Sequence, residues 1–273
     1  MDVIKWQTYC NKFDLGLYSH LEYLNAVTQE NWEALIWGDY EFCLPVYIKK
    51  KWGFFSYISM PPFCQQFQTN HIPNNVWEAM IAYLAKSNIA IDIRHSNISR
   101  HCNQIKTNYR LVKGNRSYEN LSSNYSSRLQ RNLSKSDQPI IDIGNIDLAY
   151  TFFRTIPLFE KLVLSKYQKA FEAMSRLENF HVIVAKDQSS HQIVGALGYL
   201  VCRNTAYIIF PYQTTIGKKQ NAMTTLIDHI IRDSSIEIVD FEGSSIDSIA
   251  QYYAQFGAES IPYSSYKYRI WNW

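Results

Sequence analysis

Apolar runs and alternating residues predict the same order of secondary structure twice along this chain. In each half, three strands with short connections are followed by a helix and then by a strand with an aspartate near its end. The first set comprises strands Trp32–Trp37, Tyr40–Lys49 and Phe54–Met60, helix Asn75–Ser87 and strand Ile89–Ile93. The second comprises strands Phe180–Lys186, Gln192–Cys202 and Thr205–Phe210, helix Asn221–Asp233 and strand Ile236–Phe241. Trp32 and Phe180, which begin the two sets, lie 148 residues apart, so the pattern indicates a duplication.

The connections indicate how these strands pair. Short loops favour antiparallel neighbours, whereas a helical crossover favours a parallel neighbour. Further helices are predicted before the sets, at Ser19–Val27, Asp147–Glu160 and Lys166–Asn179. We therefore expect an α+β protein (an α/β mixed sheet), in which each half is a mixed, mostly antiparallel sheet flanked by helices.

A polar segment with its own predicted helix separates the two sets. The helix near Asn124–Gln138 ends before Pro139, which cannot continue it, and a strand Ile140–Ile143 follows. The apolar face of the segment is formed by Leu121, Tyr125, Leu129 and Leu133. We place the boundary near residue 116, which predicts an N-terminal domain 1–116 and a C-terminal domain 117–273.

Length and composition describe a globular chain. The 273 residues suffice for two domains with sizeable cores, and 47% of them are hydrophobic. The sequence shows no signal-peptide pattern and no apolar run of membrane-spanning length, so we expect a cytoplasmic protein without a membrane span. The five cysteines are dispersed without a Cys-x-x-Cys pair, and the histidines lack metal-ligand spacing. Reduced thiols and no bound metal are the corresponding expectations.

Positive charge is concentrated in one segment. Residues 99–135 carry eight lysines and arginines against the single acid Glu119, a charge of +7, whereas the whole chain carries +3. Arg128 and Arg131 lie on one face of the predicted linker helix and would suit an anionic donor or acceptor. An ordinary solvated helix face is the alternative. The segment contains no recognised nucleic-acid-binding motif.

The stretch from Asp240 to Gly257 is the best candidate for chemistry. A buried strand ends on two carboxylates, Asp240 and Glu242, and Gly243 turns the chain into a helix that Ser244 would cap. A carboxylate at a strand end accepts a proton, and the phenol of Tyr253 donates one. Glu242, Tyr253 and Asp240 are therefore the candidate catalytic residues. The alternative is a capping carboxylate with a core tyrosine.

Two further segments are candidate binding sites. The turn before the predicted helix Asn221–Asp233 would bind donor phosphates through backbone N–H groups, the helix dipole and two lysines. Its residues are Lys218, Lys219, Gln220, Asn221 and Ala222. In the first half, Gln65 and Gln66 follow two prolines that fix the loop, and their amides suit a polar or anionic acceptor. Solvated loops are the alternative in both places.

These motifs, in this order, resemble the GNAT acyltransferase superfamily and especially its tandem FemABX-type branch. The resemblance rests on Asn124–Ser136, on Asn221-Ala222-Met223, and on the segment from Asp240 through Tyr253 to Gly257. It implies two GNAT-like domains, and it implies that Tyr253 acts as general acid on the leaving group. The turn at residues 218–222 keeps only the final small residue of the pyrophosphate loop, a departure shared with the FemABX branch.

The resemblance implies a bacterial-type N-acyltransferase, such as an acetyltransferase, that uses acyl-CoA (acetyl-CoA) as co-substrate. The acceptor would be an amine on a small molecule or peptide. The first alternative is a FemABX-like transferase that takes an aminoacyl group from tRNA and acts on a peptidoglycan (cell-wall) precursor. The second is a non-catalytic binding module that keeps the tandem fold.

Overall fold

The computed structural model describes residues 1–96, 102–148, 151, 164–243 and 246–270. The chain forms two compact units, each made of several segments. The first unit comprises Met1–Thr107, Lys166–Leu177 and Pro262–Trp273, and the second comprises Asn108–Ser165 and Glu178–Ile261. The division into domains 1–116 and 117–273 stays a prediction.

The helices and strands are numbered in chain order. The helices are α1 Val3–Lys12, α2 Leu21–Thr28, α3 Asn74–Ala85, α4 Tyr118–Ser123, α5 Ser127–Leu133, α6 Leu164–Met174, α7 Thr215–Lys219, α8 Ala222–Arg232 and α9 Asp247–Ala254. The strands are β1 Trp32–Trp37, β2 Phe42–Lys51, β3 Phe55–Ile58, β4 Ala90–His95, β5 Gln104–Val112, β6 Ile140–Ile143, β7 Phe180–Lys186, β8 Ile193–Cys202, β9 Thr205–Gln213, β10 Ile238–Asp240 and β11 Glu259–Arg269.

In the first unit, the strands follow the order β1-β2-β3-β4-β11. β1, β2 and β3 pair antiparallel, β3 pairs parallel with β4 at Ile58 and Ile91, and β4 pairs antiparallel with β11. α3 supplies the crossover that makes the parallel pair possible. Its buried residues, which include Trp77, Met80 and Leu84, recur every three or four positions and form one apolar face.

In the second unit, the order is β5-β10-β9-β8-β7-β6. All neighbouring pairs are antiparallel except β9 with β10, which run parallel on either side of the crossover helix α8. α8 buries Leu226, Ile227, Ile230 and Ile231 in a core that includes Leu197 of β8. This burial of apolar area holds the helix on the sheet.

The two units therefore repeat one topology. β1-β2-β3-α3-β4 in the first unit corresponds to β7-β8-β9-α8-β10 in the second. The paired elements β1 and β7, α3 and α8, and β4 and β10 each begin 148 residues apart. The predicted α+β class, with a mixed and mostly antiparallel sheet flanked by helices, is confirmed.

Some predicted elements differ from the observed ones. The linker helix predicted near Asn124–Gln138 is observed as the shorter helix α5, and a break at 124–126 separates it from α4. The Ser126 side chain accepts the Leu129 N–H and starts α5 anew, while the Ser126 N–H donates to Gln255 O at 3.0 Å. Part of the predicted basic linker is instead strand β5, and α1 and β11 had no predicted counterpart. The predicted helix Asp147–Glu160 lies mostly outside the described residues.

His95 is a buried titratable group whose environment sets a pH dependence. Its imidazole is 2% exposed and lies 4.4 Å from the Trp77 ring, centroid to centroid. Neither ring nitrogen has a hydrogen-bond partner in the described part of the chain. Burial lowers the pKa of His95 from 6.5 to about 4, because the charged imidazolium is poorly solvated there.

We expect the free energy of unfolding to fall as the pH drops from 6.5 to about 4. Over this range the unfolded chain binds the His95 proton and the folded chain does not. At about 1.4 kcal/mol per pH unit, the loss is about 3 kcal/mol. Urea unfolding of wild type and His95→Gln at several pH values would check this, since glutamine does not titrate. Parallel pH curves for the two proteins would contradict the assignment.

Candidate active site

The site begins where β9 and β10 part. The two strands pair in parallel over only three positions, from Ile238 with Thr205 to Asp240 with Tyr207. β10 ends at Asp240, whereas β9 continues to Gln213. The β9–β10 pairing thus does not extend beyond Tyr207. Parallel strands that part in this way open a gap at their carboxyl ends, which is where α/β sheets commonly bind ligands.

A β-bulge lies in β9 beside this gap. In the register with β8, Ile208 pairs with Tyr199 and Phe210 pairs with Gly198, so Ile209 is an additional residue. Bulges bend a strand and are common next to active sites. This bulge lies just beyond the last β9–β10 pair, Tyr207 with Asp240.

Glu242 lies two residues beyond the end of β10. Its φ of 64° and that of Gly243, 61°, are both left-handed, and they turn the chain sharply out of the sheet. The residue is half-buried, but its Oε1 atom is shielded from solvent. Burial raises the pKa of the Glu242 carboxyl well above its usual range, because the ionised form loses hydration. A carboxyl with a raised pKa is a stronger proton acceptor near neutral pH.

Tyr253 of α9 lies in the same neighbourhood. It is 9% exposed, and its ring centroid is 4.7 Å from that of Phe241 and 6.1 Å from that of Tyr109. Burial, and then the negative charge of Glu242, raise the pKa of Tyr253 to about 12. Its hydroxyl makes no hydrogen bond within the described residues. The phenol therefore keeps its proton at neutral pH and can donate it.

Asp240 is fully buried, and its oxygens already have protein partners. Asn108 Nδ2 donates to both carboxylate oxygens at 3.0 Å, and Arg110 Nε donates to Oδ2 at 2.6 Å. The Glu242 N–H donates to Oδ1 at 3.0 Å. Asp240 thus anchors the backbone that presents Glu242, which is a positioning task.

α9 carries both expected and unexpected features. It begins at Asp247 with Ile246 at the N-cap and no side-chain cap, and the predicted capping residue Ser244 lies outside the described residues. Gly257, shortly after the end of α9, has a φ of 80°, a left-handed conformation that favours glycine. Tyr252 was missed by the sequence argument. Its hydroxyl lies 3.1 Å from Thr224 Oγ1, in the first turn of α8.

The predicted donor-binding turn contains a short helix. Lys218 and Lys219 are exposed in α7, and Ala222 is the buried first residue of α8. Gln220 Nε2 donates to Asp187 Oδ2 at 2.5 Å, whereas Asn221 Nδ2 is buried without a partner in the described chain. Gly217 packs closely on β8. A Cβ there would lie 2.1 Å from Val194 O, so this glycine serves packing.

The cations of the basic segment are of two kinds: some are bound to oxygens of the protein, and others are exposed. Arg110, Lys113 and Arg116 bind carboxylate or carbonyl oxygens of the second unit. Arg128 and Arg131 of α5 are exposed and make no ion pair with any described residue. α5 itself is held by the buried residues of its other face, including Leu129, which is 1% exposed.

A buried carboxylate also holds the linker helices on the second unit. Asp228 of α8 accepts hydrogen bonds from the hydroxyls of Tyr118 and Tyr125 at 3.0 Å and from Arg232 Nε at 2.8 Å. The linker helices are therefore part of the second unit's packing.

The structure thus brings Asp240, Glu242 and Tyr253 together in the second unit. Gln65 and Gln66 lie in the first unit, in the loop after β3. Within the described residues, no three metal-ligating side chains come together, and no helix combines the length and apolarity needed to span a membrane.

The fold is similar to that of known structures, although the sequence matches no protein-family model and no curated protein. FemX aligns with a TM-score of 0.65 and 8% identity over 97% of this chain and 96% of its own. A Bacteroides thetaiotaomicron VPI-5482 protein of unknown function aligns with a TM-score of 0.56 and 10% identity over 97% of both chains. The C-terminal DUF2156 domain of a candidate lysylphosphatidylglycerol synthetase from Agrobacterium fabrum aligns with a TM-score of 0.52 and 11% identity. The alignment covers 94% of this chain and 90% of that domain. The chain therefore has a fold like that of FemX.

Proposed function

We propose that this protein is an N-acyltransferase that moves an acyl group from an activated donor to an amine, using a site in its second unit. The observation that carries the proposal is that two buried groups, the Glu242 carboxyl and the Tyr253 phenol, lie near each other just after the end of β10. Their environments hold one group ready to accept a proton and the other ready to donate one. The fold shared with FemX supports the proposal.

The reaction would proceed by attack of the amine on the donor's carbonyl carbon. Glu242 takes the proton that the amine nitrogen loses as the C–N bond forms. Tyr253 gives a proton to the leaving sulfur or oxygen as its bond to the carbonyl carbon breaks. Backbone N–H groups of β9 beyond the end of β10 would stabilise the charge on the carbonyl oxygen, except at Pro211, which has none.

The turn before α8 would hold the donor's phosphates. Lys218 and Lys219 supply exposed positive charge, and the unpartnered Asn221 Nδ2 supplies a donor at the start of α8. Arg128 and Arg131, exposed and unpaired in the described chain, would meet an anionic part of the donor or acceptor. The groups fit a donor such as acyl-CoA, which supplies an acyl carbon activated as a thioester.

A second candidate is aminoacyl transfer from charged tRNA to a peptidoglycan precursor, favoured by the alignment with FemX over nearly the whole chain. A protein that only binds an anionic ligand is the third, because the pyrophosphate loop departs from the GNAT pattern.

Thermal unfolding with each donor would separate these functions. With acetyl-CoA at about 100 times its Kd, we expect a stabilisation of about 2.7 kcal/mol, and little with aminoacyl-tRNA. Lys218→Gln combined with Lys219→Gln should weaken that response, and Lys186→Gln, at a half-buried lysine on β7, serves as a control. Stabilisation by charged tRNA alone, with activity lost on ribonuclease treatment, would establish the second candidate. Binding without transfer to any amine would leave the third.

A further inference from the structure

A row of polar side chains crosses one face of the first unit's sheet. Arg94 of β4 lies directly opposite Ser265 of β11. On the other side of β4, Phe67 forms a parallel bridge with His95, so Gln66 lies beside Arg94. Side chains alternate between the faces of a sheet, and directly opposed residues share a face. Gln66, Arg94 and Ser265 therefore point to one side, on three adjacent chain segments.

A second row lies next to the first on the same face. Ile58 pairs with Ile91, which places Ser59 beside Asp92, and Asp92 lies directly opposite Lys267. The two rows, Ser59, Asp92 and Lys267 together with Gln66, Arg94 and Ser265, form what we call the polar face.

Lys106 of β5 is a third cation near this face. Its pKa is lowered by burial first, and then by the positive charges of Arg94 and Lys267. The three cations therefore lie near one another, with Asp92 as the neighbouring acid. A cluster of cations with one carboxylate has an unbalanced positive charge that an anion would compensate.

Several polar atoms of this face have no hydrogen-bond partner in the described part of the chain. Ser265 is 0% exposed and Gln66 is 2% exposed, yet Ser265 Oγ and Gln66 Oε1 are both unpartnered. Arg94 Nε and Asp92 Oδ1 also lack a hydrogen bond, because their separation of 3.7 Å exceeds hydrogen-bond distance. Burying such groups costs free energy unless a partner binds them. Their concentration on one face indicates a ligand.

The surrounding backbone fixes these groups in place. The Arg94 N–H donates to Met60 Sδ at 3.3 Å, and the Phe67 N–H donates to Arg94 O at 2.8 Å. Pro61 and Pro62 are buried between these two attachments and restrict the loop. The polar face is thus ordered before a ligand arrives, which lowers the entropic cost of binding.

We infer that the polar face binds a carboxylate with a neighbouring N–H donor, as presented by an α-amino acid or by the end of a peptide. Arg94, Lys106 and Lys267 would hold the carboxylate. Asp92 Oδ1 and Gln66 Oε1 are acceptors and would take the N–H group, while the Ser265 hydroxyl serves either partner. This site belongs to the first unit and requires no transfer chemistry in the second.

Calorimetric titration with four probes tests the inference. L-alanine and L-alanyl-L-alanine carry both groups, whereas acetate carries only the carboxylate and methylamine only the ammonium. We expect alanine or dialanine to bind, and acetate and methylamine to bind at least about tenfold more weakly, since each lacks one charge-assisted hydrogen bond. Stronger binding of alanine identifies a free amino acid as the source, and stronger binding of dialanine identifies a peptide end. Equal binding of acetate, or none by any probe at about 10 mM, would overturn the inference.

Four variants make the test specific. Arg94→Gln should weaken binding about tenfold or more, whereas Arg176→Gln, an exposed arginine after α6, should leave it unchanged. Ser265→Ala should weaken binding while leaving the unliganded protein as stable as wild type or more so, because it removes an unpartnered buried hydroxyl. A loss of unliganded stability in Ser265→Ala would show that the hydroxyl is structural. Glu242→Gln should bind the probes as wild type does, because Glu242 is not part of the polar face. A failure of the transferase proposal would therefore leave this binding unchanged and can be told apart from a failure of the present inference.

Discussion

Replacing Glu242 by glutamine is expected to lower turnover by about 10²- to 10⁴-fold, the range typical for loss of a general base. The same change is expected to stabilise the folded protein at neutral pH. Both effects have one cause, the burial that raises the pKa of this carboxyl. An amide cannot accept the amine's proton, and it does not have to be ionised inside the protein. A residue retained for folding alone would not show this combination.

The stability effect has a definite sign with pH. Because the pKa of Glu242 is raised in the folded state, the folded protein keeps a proton that the unfolded chain loses above pH 4.5. The wild-type contribution to stability is therefore complete below pH 4.5 and is lost as pH rises through the folded-state pKa, at about 1.4 kcal/mol per pH unit. The stability advantage of Glu242→Gln should grow over the same range. Urea unfolding at several pH values measures it.

Controls separate this result from a general loss of structure. Glu178→Gln removes an exposed carboxylate from the same unit and should change neither turnover nor the pH profile. Tyr253→Phe should lower turnover by a similar factor when the leaving group needs a proton. Unchanged turnover in both Glu242→Gln and Tyr253→Phe would reject the proposed site, and a stability difference that is flat with pH would reject the buried ionisation.

The sequence predicted the elements whose apolar pattern is local. β1, β6 and β7 have the predicted bounds, and α3 and α8 differ from their predictions by only one or two residues. β11 was not predicted because its buried centre, Tyr263-Ser264-Ser265, is partly polar, so burial there leaves no hydrophobic alternation. β5 was hidden by its charges, since Arg110 reads as a surface residue until its buried partner Asp240 is known.

The candidate site was predictable only in part, because sequence patterns indicate local structure and do not indicate contacts between distant segments. Glu242 and Tyr253 belong to one strand-turn-helix segment, so their proximity follows from local structure. The partners of Asp240 come from β5, more than 100 residues earlier, and no local pattern indicates them. The polar face of the first unit likewise depends on strand register, which places Gln66, Arg94 and Ser265 side by side.

Those distant partners make Asp240→Asn the second change with a large expected effect. The carboxylate is completely buried, and its ion pair with Arg110 Nε is 2.6 Å long. Removing one charge of a buried pair leaves the other uncompensated, which typically costs about 3–5 kcal/mol. The new Nδ2 would also face Asn108 Nδ2, which brings two donors together. We expect this loss in the free energy of unfolding, and lower turnover because the Glu242 N–H loses its charged acceptor.

A charge-swapped double variant would show that the loss arises from this pair. Asn108→Asp with Asp240→Asn restores a carboxylate opposite an amide, and we expect it to recover part of the lost stability, with a coupling free energy of about 0.5–3 kcal/mol. Asp142→Asn is a suitable control, because its ion pair with Lys186 is also 2.6 Å but exposed, and exposed pairs contribute little to stability. If Asp240→Asn cost no more than Asp142→Asn, Asp240 would not be the anchor of the Glu242 backbone.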